Sequence, residues 1–179
     1  MNRRRRFIAA GLGLLSFGRG ARAQPVDSSA SVRYAVLTRP VMIPVEAVTA
    51  KWHAVPFVAE ATRTDGPAAP NRDARKRVLI NGVLFRTDTQ LSALCTTCPH
   101  EQCQVDLVTE QERLARIVDR KTTHPLFECG CHLSVFDAAE EGARISGESP
   151  RGLYRFRVAG VRDGMIEITE IEDVALSEV

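Results

Sequence analysis

The sequence predicts an all-β fold, a small antiparallel β-sandwich, and three observations predict it. Short apolar runs recur between turn residues along most of the chain. Residues 77–80 and 83–85 flank Asn81-Gly82. That pair is the strongest short-range hairpin signal, because both turn positions need positive φ. Residues 153–158 and 165–169 alternate apolar and polar side chains around Arg162-Asp163-Gly164, the pattern of a closing hairpin with one buried face.

Taken in order, the elements begin with a segment of different character. Of the 24 basic residues, six arginines lie within the first 23 positions, where there is no acid and no lysine. The remainder keeps 18 basic against 22 acidic residues, a net charge of −4. A nucleic-acid binder would be expected to keep a basic body, so that class is excluded. Arg3 to Arg6, the apolar residues 7–17 and Ala21-Arg22-Ala23 form a basic region, an apolar core and a small-x-small cleavage signature. Arg4-Arg5-Arg6-Phe7-Ile8 looks like a twin-arginine signal, and an ordinary secretory signal is the alternative. The apolar core is 11 residues, against about 20 for a membrane span. Residues 1–23 therefore read as an export signal delivering the body to the periplasm. A retained anchor on the outer face of the inner membrane is the weaker reading. In either case the body meets an oxidising compartment.

Residues 24–45 are expected to form an N-terminal arm and residues 46–179 the main domain. Extended segments over 41–57 break at Pro44 and Pro56, and residues 62–72 make a loop. The Asn81-Gly82 hairpin follows. Residues 87–94 read as a short helical turn capped by Thr87 or Asp88, residues 104–108 as a strand, and residues 110–121 as an excursion with a short helix.

Four of the five cysteines fall in two tight clusters. These are Cys98-Pro99-His100-Glu101-Gln102-Cys103 and Cys129-Gly130-Cys131-His132-Leu133-Ser134. Each offers two cysteines and one histidine. Two loops that each give one Cys and one His can hold a two-iron cluster with both sulfurs on one iron and both imidazoles on the other, leaving one spare cysteine per loop. Neutral imidazoles reduce the negative charge of such a cluster and raise its potential. Zinc is the rival for Cys and His at short spacing, although Cys129-Gly130-Cys131-His132 is tighter than the usual Cys-x₂₋₄-Cys pair. Cys95 reads as an unpaired buried thiol, and His124 as a loop hydrogen-bonding residue.

The two clusters resemble the Rieske family pattern, Cys-x-His-x-x-Cys followed by Cys-x-Cys-His. The resemblance implies a 2Fe–2S cluster held by the thiolates of Cys98 and Cys129 and the imidazoles of His100 and His132. It also implies a disulfide between Cys103 and Cys131. Residues 147–150 look like the proline-containing loop that covers the cluster in this family. The implied fold is a Rieske-like sandwich with a cluster-binding subdomain inserted at about 94–150. Ser134 matches the hydroxyl that donates to a cluster sulfide, and Phe136 stands where high-potential members often carry Tyr. Gln102 and Leu133 stand where the family often has Gly. The spare cysteines resemble the cytochrome bc and arsenite oxidase branches. These imply one-electron transfer as a redox subunit working with a cytochrome b-type or molybdenum subunit and a cytochrome c acceptor. Membrane contact is expected only through a partner or an uncleaved N-terminus. The alternative is an exported binding domain stapled by disulfide or zinc.

Overall fold

The computed structural model describes residues 32–63, 76–118 and 122–178. The expected export signal and residues 24–31 lie outside this range, as does most of the expected 62–72 loop.

Among these residues, ten strands and two short α-helices, with a 3-10 turn at Val45–Val48, follow one another as β1 (Tyr34–Pro44), β2 (Val55–Arg63), β3 (Lys76–Arg86), β4 (Leu91–Cys95), β5 (Val105–Val108), α1 (Gln111–Ile117), β6 (Leu126–Cys129), β7 (Val135–Asp137), β8 (Ala143–Ser146), β9 (Arg155–Arg162), β10 (Met165–Glu172) and α2 (Ala175–Glu178). The all-β antiparallel expectation holds. The base closes on itself, in the order β1-β10-β9-β4-β3-β2, so it is a six-stranded barrel rather than two open layers. Closure hides the edge strands that an open sheet would leave unpaired. A second sheet, β5-β6-β7-β8, is inserted between β4 and β9, which are barrel neighbours through Ala93↔Phe156 and Leu94↔Arg155.

Period-2 patterning explains the barrel interior. Ile166 and Ile168 of β10 point inward, and a register shift between Ile168 and Glu170 lets Ile171 do so too. They pack with Leu37, Ile80, Leu84 and Phe156. Each fully buried aliphatic side chain contributes about 1.5–3 kcal/mol. The closing hairpin is as expected: Arg162 pairs with Met165 across Asp163 (φ 51°) and Gly164 (φ 74°), a two-residue turn with both centres left-handed. The predicted strand near 104–108 and the short helix near 110–121 are also found, with Leu114 of α1 buried.

Two local expectations fail. Asn81-Gly82 is not a turn: both residues lie inside β3, with Asn81 opposite Val58 and Gly82 opposite Phe57 on β2 and Cys95 on β4. Glycine is needed there for space. A Cβ on Gly82 would come within 2.4 Å of the Phe57 ring and 2.8 Å of the Phe156 ring. The helical turn expected over 87–94 is instead a tight β3–β4 connection followed by a strand. The Thr87 hydroxyl does cap it, accepting from the backbone N–H of Thr89 and Gln90. Leu91–Cys95 then pairs with β3 and β9, because a five-residue run that is almost wholly buried fits a central strand as readily as a helix turn. Residues 34–44, expected in the N-terminal arm, form the long barrel strand β1.

Candidate metal centre

Three loops build the site at the far end of the inserted sheet. The first joins β4 to β5 and carries Cys98 to Cys103. Its base is tied to the barrel by Thr96 N–H donating to the Asn81 carbonyl (3.0 Å), and its neck is the Thr97↔Gln104 bridge. Inside it, Cys98 N–H donates to Cys103 O (2.8 Å) and Gln102 N–H to Cys98 O (3.0 Å). The second loop joins β6 to β7 and is closed by Cys129 N–H donating to Ser134 O (2.8 Å). Gln102 (φ 59°) and Leu133 (φ 53°) are both left-handed, so the two positions where the family often has Gly are the ones that need positive φ.

The third loop, 147–150, lies on the second. A Cβ on Gly147 would sit 2.3 Å from the Ser134 Cα, and Ser149 N–H donates to Ser134 Oγ (2.9 Å). Arg151, just beyond it, pairs with Glu172, as does Arg155 (2.6 Å). Glu172 is fully buried on β10, so this ion pair fastens the covering loop to the barrel. Neither arginine nor Glu172 was marked by any sequence signal, since the contact joins residues far apart in the chain.

The cysteines and histidines predicted for the site and Ser134 lie on the first two loops or at their edges, and Phe136 lies on β7 in the same buried cluster as Cys98 and Cys129. Cys103 and Cys131 form a disulfide with Cα atoms 6.6 Å apart, within the range that a bridge spans without backbone movement. Cys98 and Cys129 are free and buried in one apolar cluster. Burial pushes the Cys98 thiol up. The backbone N–H of His100 opposes the rise, Cys129 reinforces it and the Ser149 hydroxyl opposes it more weakly. Loading a metal there must therefore release protons. His100 and His132 are exposed, with ring centroids 4.7 Å apart, and the Glu101 carboxylate is 3.8 Å from His132 Nε2. Phe136 is fully buried in the same apolar cluster as Cys98, Cys129 and Phe127. Ser134 is fully buried, and its hydroxyl accepts from Ser149, so its own proton remains to donate.

The donors divide into a buried pair of sulfurs and an exposed pair of imidazoles. That division fits a two-iron cluster with unlike ends. Zinc would accept Cys₂His₂ as well, but it has no use for segregated donors.

The match to protein-family models resolves the choice. The Rieske [2Fe-2S] domain model covers residues 51–157, which include all three loops and the barrel strands β2, β3 and β4. The chain belongs to the Rieske [2Fe-2S] family, and its domain binds a 2Fe–2S cluster and implies an electron-transfer role. No curated protein matches the chain.

Cys95 is a buried free thiol in the barrel core, raised by burial, as expected of a packing residue. His124 lies in the β6 approach with Nε2 2.8 Å from Asp137 Oδ1, away from the donor set.

Proposed function

We propose that the chain is the exported redox subunit of a quinol–cytochrome c type or periplasmic molybdenum oxidoreductase, the latter resembling arsenite oxidase. Cys98 and Cys129 would supply the two thiolate ligands of the cluster, and His100 and His132 the two imidazole ligands. The cluster supplies one-electron storage at a potential raised by its two neutral ligands. The observation carrying this reading is the pairing of two buried thiols with two exposed imidazoles on loops already joined by the Cys103–Cys131 bridge.

The chain's own residues do the rest. Phe127 and Phe136 exclude water from the sulfurs. Ser134 and the 147–150 loop hold the second loop in place. The exposed imidazole edges of His100 and His132 offer the contact to a cytochrome b-type or molybdenum partner, and cytochrome c is the acceptor. With a quinol as donor, one imidazole would take its hydrogen bond and then its proton. The Cys103–Cys131 disulfide supports export, because such bridges persist in an oxidising compartment. The short apolar core and the Ala21-Arg22-Ala23 signature favour a released subunit exported by the twin-arginine route.

The test is visible absorption and low-temperature EPR of the dithionite-reduced, exported protein. A rhombic signal with mean g near about 1.9 is expected for a His₂Cys₂ cluster. A colourless, EPR-silent protein that holds zinc or no metal would leave the stapled binding domain standing. Fractionation separates the two systems: protein released by salt and cut after Ala23 argues against an anchored bc-type subunit.

A further inference from the structure

The barrel reaches the second loop through a relay of side chains. Residues 149–152 make no backbone–backbone hydrogen bond among the described residues. The next such bonds are at Leu153, whose N–H donates to Gly142 O (2.9 Å), and at Tyr154, whose carbonyl accepts from Cys95 N–H (2.8 Å). The relay starts on β10. Glu172 pairs with Arg151, whose guanidinium also lies 4.8 Å from the centre of the buried Tyr154 ring. The Arg151 carbonyl accepts from the Ser149 hydroxyl, and Ser149 N–H donates to Ser134 Oγ, each at 2.9 Å. Ser134 O accepts from Cys129 N–H (2.8 Å) and so closes the loop that carries His132.

Glu172 has a second partner, and comparing the two isolates the relay. Arg155 stands on β9 opposite Leu94 of β4, so the strand ladder fixes its place without help from the carboxylate. Arg151 has no ladder. The two side chains are about equally exposed, at 34% and 32%. Each makes a charge-assisted hydrogen bond to the carboxylate, the stronger kind. Removing one partner of a buried pair is destabilising, and Arg155 also holds Glu141 (3.1 Å). Loss of the Arg155 side chain should therefore cost the fold at least as much as loss of Arg151. Only loss of Arg151 cuts the path to Ser134.

We propose that Arg151 is a positioning residue for the second loop: held by Glu172, it fixes Ser149 against Ser134 and through them the placement of Cys129 and His132. The inference rests on those two residues being cluster ligands, as proposed above. One guanidinium nitrogen makes the Arg151 contact, so a lysine ammonium can stand in for it, which a bidentate site would not allow.

The experiment compares the exported, cluster-loaded protein with its Arg151→Met, Arg151→Lys and Arg155→Met variants. The readouts are amide deuterium exchange across residues 147–152, the EPR linewidth of the reduced cluster, and the rate of bleaching by an iron chelator. Arg151→Met is expected to speed exchange and bleaching several-fold and to broaden the EPR lines. Arg151→Lys should stay near wild type. Arg155→Met should leave all three readouts unmoved despite a lower denaturation midpoint. Failure of Arg151→Met alone to load iron, with the barrel's circular dichroism intact, supports the proposal too. Equal effects of Arg151→Met and Arg155→Met overturn it, since they would trace the change to barrel stability. So does an Arg151→Lys variant as impaired as Arg151→Met. Faster exchange in Arg151→Met with unchanged bleaching and linewidth also overturns it, because the tether would then hold its own loop and nothing beyond. Should Arg151→Met unfold the barrel, Arg151→Gln replaces it, and a second unfolded variant makes Arg151 a folding residue and defeats the proposal. A wild-type protein that takes up no iron defeats the ligand assignment instead, so the two failures are distinguishable.

Discussion

Phe136 and Leu133 make single side chains informative about the site. Phe136 is packed against the sulfur-bearing loops and has no hydrogen to donate. Phe136→Tyr is expected to raise the midpoint potential, since about 1 kcal/mol of preference for the reduced form corresponds to ~40 mV for one electron. A redox titration that shows no rise in the loaded variant would remove that role. Leu133 is 67% exposed and left-handed, so it loses little packing on truncation. Its strain is about 1–2 kcal/mol, and added freedom of the unfolded chain offsets about 0.4–1 kcal/mol. Leu133→Gly should therefore gain roughly 0.5–1 kcal/mol, read as a higher urea midpoint at unchanged slope. Cys98, His100, Cys129 and His132 were legible in the sequence because ligand chemistry resides in residue type and short spacing. Ser149, Glu101 and Glu172 were not, because each matters through a neighbour that only folding supplies. Ser149 meets Ser134 from 15 positions away, and Glu172 meets Arg155 from 17.

At the level of elements, one turn rule succeeded and failed in the same molecule. Asp163-Gly164 closes a hairpin because the flanking runs are strands that pair with each other. Asn81-Gly82 has similar flanks, yet those flanks pair with β2 and β4 instead, and the strand runs straight through. Sequence spacing cannot tell which partner a strand takes, so local turn chemistry was outvoted by two ladders of hydrogen bonds. Gly82→Ala tests the explanation offered for the glycine. Overpacking against the Phe57 and Phe156 rings should cost about 1–3 kcal/mol. A turn role would predict a different result, a hairpin with altered register and loss of the β2–β3 amide protection. Equal stability of the Ala variant by denaturant titration would mean that the rings yield freely. The same reasoning covers β4: its apolar run was plain, but its type was set by β3 and β9 on either side.

For the whole molecule, the all-β class and the inserted site were readable from alternation and cysteine clustering. Closure of the base into a barrel was not, because it depends on β1 meeting both β10 and β2, elements at opposite ends of the chain. The long-range link that did announce itself is the disulfide, whose partners are 28 positions apart. Replacing Cys103 and Cys131 by serine should cost about 3.5 kcal/mol in the chain-entropy model. Thermal bleaching of the cluster colour should then begin at a lower temperature, ahead of loss of the barrel's circular dichroism. Coincident, unshifted transitions would show that the loops hold together without the bridge.

The insertion leaves β4 and returns at β9, and those two strands are hydrogen-bonded neighbours. Its ends are thus held about 5 Å apart, the separation of any adjacent antiparallel pair. A segment with that footprint behaves as a cassette. It asks nothing of its host except two neighbouring strands and a patch on which to rest, so a different antiparallel scaffold could carry the same redox head unchanged.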